Sequence, residues 1–311
     1  MNDIDKILVA VDPIADTQPA LDKAMRIAAR FDARIELYCC ETKAARDSHL
    51  AVHLARGPAD EFIYDVRTIA EALAAPAREQ GLDISVAAES GDPLHTRILE
   101  RAERMHADLV IKDTHHHALA RRTIFTNTDW HLIRECPVPL LLTRPTAWRD
   151  SPVVVAAVDP GHLHDKPARL DQQILNYAKE MAGRLGGAVH LFHTYLATVP
   201  AADAVIGALS VMTLTPEVLA ELRTAKEASL AELAIGHGID PMHAHLRMGV
   251  PAECLPAFAE KMHADIVVMG AISRSGLQRL FLGSTAEQVL ERIPCDALIV
   301  KSSDVRRGTV Y

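Results

Sequence analysis

At 311 residues, 49% apolar and 24% charged, the chain has the composition of a soluble globular protein and the length of two domains of roughly 150 residues. A formal net charge of −8 excludes a general binder of nucleic acid or anionic membrane, which would need a basic face, but not a local pocket for phosphate. The five cysteines (Cys39, Cys40, Cys136, Cys254, Cys295) form no C-x-x-C pair, which points to reduced core thiols and a cytoplasmic protein.

The opening MNDIDKILVAVD carries Asp3 and Asp5 where a secretory leader carries basic residues, and its apolar run is short. Lys6–Val11 is β-branched and ends in Asp12-Pro13, so it reads as a strand. Gln18–Phe31 follows with Leu21, Met25, Ile27 and Ala28 at helical spacing. Ala33–Cys40 is a second strand, and Asp60–Gln80 a helix built on Phe62, Val66, Ile69, Ala70 and Leu73. Ile84–Ala88 is a third strand, closed by Gly91-Asp92-Pro93. Helix Leu94–Met105, strand Asp108–Lys112, helix Asp129–Glu135 and strand Pro139–Thr143 complete the unit. Strands alternating with helices call for a mostly parallel sheet of five strands covered on both faces.

The programme then restarts. VVVAAVDP at Val153–Pro160 repeats ILVAVDP at Ile7–Pro13, so Asp159 corresponds to Asp12. Gly249-Val250-Pro251 repeats Gly91-Asp92-Pro93, and Met262-His263-Ala264-Asp265 repeats Met105-His106-Ala107-Asp108. From there to the end of the last strand the two halves align without a gap, with Pro137 on Pro294, Thr128 on Thr285 and Arg122 on Arg279. Register held that long marks a duplication. Duplication also accounts for His106 and His263, which therefore carry no catalytic argument. The boundary falls in the polar, proline-containing Arg144–Pro152, giving domains 1–146 and 151–311.

The second copy holds the stretch that most resembles a ligand site. Ala264–Met269 is an apolar strand, Gly270 lets the backbone turn or approach a ligand, and Gly283-Ser284-Thr285 precedes a helix. A helix N-terminus with small residues favours an anion. A first strand ending in Val-Asp, a G-x-P before the third helix, a strand ending in Gly and a Gly-Ser before the last helix together resemble the universal stress protein family, in its tandem E-type form. The resemblance covers the chain twice. It implies two Rossmann-like domains of the adenine-nucleotide α-hydrolase type, paired as an internal pseudo-dimer through antiparallel contact of Leu140–Thr143 with Ala297–Lys301. Further homodimerisation stays open.

The family motif for ATP, G-x2-G-x9-G-[ST], falls on Gly270, Ser273, Gly283 and Ser284, with serine at the second glycine. In the first copy the same positions are Asp113, His116, Thr126 and Asn127, so the motif is degenerate. The resemblance implies ATP or AMP in the second domain, with magnesium accompanying ATP. Asp159 and the backbone of Ala157 and Val158 would hold the adenosine; Gly270, Ser273, Arg274, Gly283, Ser284 and Thr285 would cradle phosphate. Asp159 alone reads equally as a turn residue before Pro160, and Arg274 as a solvated loop residue.

Asp113, His115, His116 and His117, with the His49/His53 pair, invite a zinc reading, but consecutive residues do not converge on one ion from regular structure, so a polar loop is expected. Trp130 reads as packing. The apolar stretch Thr194–Pro216 has no equal in the first copy; it reads as helix packing, or as cover for a nucleotide or an acyl chain. Ala197–Leu214 within it is broken by Pro200 and Asp203 and does not read as a membrane span. No triad or paired-carboxylate arrangement stands out, so no dedicated enzyme activity is expected beyond slow ATP hydrolysis. The expected function is a stress-response protein that senses or carries a small molecule, either a nucleotide or an apolar, lipid-like ligand.

Overall fold

The structure, a computed structural model, describes residues 4–12, 15–43, 59–117, 122–160, 170–196, 198–199, 212–213, 215–270 and 284–301. In the first half, β1 (Lys6–Ala10), α1 (Pro19–Phe31), β2 (Arg34–Glu41), α2 (Ala59–Glu79), β3 (Ile84–Ser90), α3 (Leu94–Met105) and β4 (Leu109–Asp113) follow the expected order. A short hairpin of β5 (His115–His117) and β6 (Arg122–Ile124) intervenes before α4 (Asn127–Glu135) and β7 (Leu140–Thr143). The second half contributes β8 (Val153–Ala157), α5 (Leu170–Leu185), β9 (Ala188–Tyr195) and the small pair β10 (Thr198–Val199) and β11 (Met212–Thr213). It continues with α6 (Pro216–Gly236), β12 (Ala244–Met248), α7 (Pro251–Lys261), β13 (Ile266–Gly270), α8 (Ser284–Arg292) and β14 (Asp296–Val300).

Ten strands form one sheet in the order β12-β9-β8-β13-β14-β7-β4-β1-β2-β3. Each half is parallel and five-stranded, and the halves meet where β14 pairs antiparallel with β7, Leu298 opposite Leu141. Alternate residues serve opposite faces, as a sheet covered on both sides requires. Ile7, Val9, Ile111 and Val268 enter the core shared with α1, α2 and α5. Leu8, Val110, Val267 and Ile299 enter the core shared with α3, α4, α7 and α8.

The junction is tied by charge as well as by strand pairing. Asp296, 2% exposed, accepts from the Lys23 ammonium (2.9 Å to Oδ1), the Arg144 backbone (2.8 Å) and the Trp148 indole (2.8 Å). Burial pushes its carboxyl up to about 6, against the pull of Lys23. Asp265 similarly receives Arg149 and the Val153 backbone, fixing the connecting segment. His106 caps α3 at φ 54°, and His263 follows α7 at φ 48°, so both repeated histidines stand in the left-handed region at helix ends.

Candidate functional site at the carboxyl edge of the second half

In a parallel sheet the loop after each strand leaves the carboxyl edge, where open α/β folds place ligands. On the second half that edge gathers the end of β8, the end of β13 and, across the loop after β13, the N-terminus of α8. Asp159 follows β8 partly exposed, its Oδ1 3.7 Å from Nδ1 of His193 on β9. The same Nδ1 lies 3.1 Å from the Val158 carbonyl. A carbonyl only accepts, so this contact places a proton on Nδ1. His193 thus braces the turn that presents Asp159, a role that the sequence reading did not assign.

Several expected ligand groups are spoken for within the protein. The Val158 N–H donates to the Phe192 carbonyl at 3.0 Å, and its side chain is buried. The Asp159 N–H is directed at the Asp171 carboxylate, 3.2 Å away. Gly270 has a physical reason of its own: a Cβ there would lie 2.6 Å from Cδ2 of Leu170, the first residue of α5. A side chain there would have to displace the Leu170 side chain of the packed helix. Ala157 is partly buried at the end of β8. Ser284 and Thr285 are exposed at the first two positions of α8, with Ala286 third. Ser273, Arg274 and Gly283 lie outside the described residues, as do His49 and His53.

The first half treats the equivalent helix start differently. Thr126 and Asp129 form a reciprocal capping box at the head of α4: Asp129 Oδ2 accepts from the Thr126 N–H at 2.8 Å, and Thr126 accepts from the Asp129 N–H. Asp129 is fully buried, and the ammonium of Lys112 on β4 donates to its Oδ1 at 2.8 Å. The carboxylate and its counter-ion fill the helix head from inside. Asp113, next along β4, is bound by the Thr143 hydroxyl at 2.6 Å, and burial raises its pKa. It is a partner of the sheet edge, and the backbone of His115–His117 forms β5 rather than an open loop. Trp130 packs against Phe125, ring centres 4.9 Å apart.

The two half-sheets and their repeated order match what comparison with known proteins finds. The sequence profile of the universal stress protein family matches residues 3–144 and again 154–301. The chain belongs to that family. Universal stress protein E of Photorhabdus laumondii is 28% identical over 306 residues, covering 97% of this chain and 96% of that one. Universal stress protein E of Escherichia coli K12 is 27% identical over 317 residues, covering 95% and 93%. Among solved structures, a functionally unknown protein of Pseudomonas aeruginosa PAO1 superposes with a TM-score of 0.75 at 24% identity, covering 97% of this chain and 94% of its own. A universal stress protein of Archaeoglobus fulgidus gives 0.65 at 17% identity, covering 95% and 98%. These two structures bear on the fold alone. No helix among the described residues is long and apolar enough to cross a membrane.

Proposed function

We propose that this universal stress protein is a cytoplasmic nucleotide-binding protein that takes ATP or AMP in its second domain, residues 151–311. The first domain, residues 1–146, serves as its structural or regulatory partner. The observation that carries this reading is the contrast between two helix heads. The α8 head exposes Ser284 and Thr285 and has apolar Ala286 at its third position. The α4 head has its third residue, Asp129, buried there as an internal anion. A helix head with exposed hydroxyls and no acidic residue in its first three positions offers backbone N–H groups and hydroxyls to phosphate; a head already holding a carboxylate repels it.

In this reading Asp159, backed by His193, accepts from the ribose hydroxyls, while Ala157 contributes backbone contact. Ser273, Arg274, Gly283, Ser284 and Thr285 surround the phosphates, with magnesium accompanying ATP. Val158 supports the turn through its backbone bonds and gives no direct contact, and Gly270 makes room for Leu170. The arrangement suits holding a ligand and signalling its occupancy more than breaking a bond.

Calorimetry of the full chain with ATP and with AMP tests this. One site per chain is expected, weakened on the order of tenfold by Asp159→Ala, roughly the loss of one charge-assisted hydrogen bond. Asp12→Ala should leave it unchanged. Absence of binding, or equal weakening by both substitutions, overturns the reading. An acyl species retained in native mass spectrometry in place of nucleotide would instead favour the apolar carrier.

A further inference from the structure

Outside the nucleotide edge, the first half brings together three metal-ligating side chains from two helices. His95 is the second residue of α3; His131 and Glu135 lie four apart on α4, which packs against α3. Four-residue spacing puts two side chains on one helix face. One ligand atom from each of the three residues lies within 4.8 Å of the others. The two imidazoles are stacked with ring centres 3.9 Å apart and planes 6° from parallel. Nδ1 of His131 meets Oε1 of Glu135 at 2.7 Å.

We propose that His95, His131 and Glu135 form a zinc-class metal site on the first domain, with water completing the coordination. Two imidazole nitrogens and one carboxylate are the donor set of a borderline divalent ion, not of magnesium or calcium, which prefer oxygen throughout. Ligand atoms around tetrahedral zinc stand roughly 3.3 Å apart, given zinc–nitrogen distances of about 2.0–2.1 Å. Closing from 4.8 Å requires the side chains to rotate out of the stacked arrangement, and those of His131 and Glu135 are 42% and 48% exposed. Their exposure leaves solvent able to supply the fourth ligand. The His131–Glu135 contact offers the alternative in which the carboxylate orients the ring from behind and Nε2 binds the ion. Both variants use the same three residues.

The second half supplies an internal contrast. Gln288 and Arg292 on α8 occupy the positions of His131 and Glu135, and an arginine cannot ligate a cation. A second histidine group, His190, His243 and His245, is not among the groups of three described residues whose ligand atoms all lie within 4.8 Å of one another.

The test is titration of the full chain with zinc chloride against a chromophoric chelator, followed by cobalt substitution and its visible absorption. One equivalent is expected, with the intense bands of a four-coordinate cobalt ion. His95→Ala and His131→Ala should each weaken zinc on the order of tenfold or more, and Glu135→Gln should also weaken it. Circular dichroism should show all three variants folded. A triple alanine variant at His115, His116 and His117 should retain the site. Absence of zinc binding, loss only in the His115–His117 variant, or binding unchanged in His95→Ala and His131→Ala would overturn the proposal. The readout is the metal alone and is independent of nucleotide.

Discussion

The heads of α4 and α8 descend from one repeated element and reach opposite solutions. Lys112 on β4 corresponds to Met269 on β13, and Asp129 on α4 to Ala286 on α8. In one half a salt bridge is sealed under the helix head; in the other the matching positions are apolar, and Ser284 and Thr285 at the helix start are exposed. The difference teaches that a repeated helix head can change its polar partners without losing its fold. An internal carboxylate then does for the helix what an external anion would do. A parallel contrast runs through the strands. Glu36 on β2 takes a bidentate bond from Arg101, 2.6 and 2.7 Å, where the second half sets His190 on β9 beside His245, whose ring in turn lies against Phe258.

The sharpest way to break the first contrast is to remove one member of the buried pair. Asp129→Ala should cost on the order of 3–5 kcal/mol in urea unfolding, because Lys112 is left charged and buried. Adding Lys112→Met, which recreates the second half's residues, should restore most of that loss. If the double variant is no more stable than the single, the pair is not the unit that distinguishes the halves. A smaller effect is expected at the cap itself: Thr126→Ala should cost about 1 kcal/mol in the same assay.

The strand contrast predicts a pH effect from His190. Burial first, then His243 and His245, push the pKa of His190 down from 6.5 to about 4. The unfolded chain accepts a proton near pH 6.5 that the native state refuses until about pH 4. The His190 contribution therefore lowers stability as the pH falls through that window. His190→Phe should flatten the fall in urea midpoint between pH 7 and pH 5. An unchanged slope would remove His190 as its source.

Much of this architecture was legible from spacing. The strand runs alternate or turn apolar where the sheet needs them, and the repeated Met-His-Ala-Asp fixed the internal register. The β5–β6 hairpin was missed because HHH carries neither β-branching nor alternation. Lys112 and Asp129 are 17 residues apart, and nothing in their local sequence says that a strand end meets a helix head. The signal lay in the alignment of the halves, where both depart from apolar partners together. His95 and His131 belong to different helices and meet only through α3–α4 packing. Gly270 shows a different limit: a glycine at a strand end suggests a close approach in the sequence, but only the structure names Leu170 as the neighbour.

The β7–β14 pairing carries a consequence for symmetry. Two identical chains joined through the same strand would repeat every residue across a two-fold axis, so a residue gained at one site would be gained at both. Here residues 144–152 make that join within one chain. Asp296 stands opposite in role to Pro139, its counterpart, and lies between Lys23, Arg144 and Trp148, with no second copy of that arrangement among the described residues. Covalent linkage releases the halves from equivalence, and each can change alone while the shared sheet holds them in register.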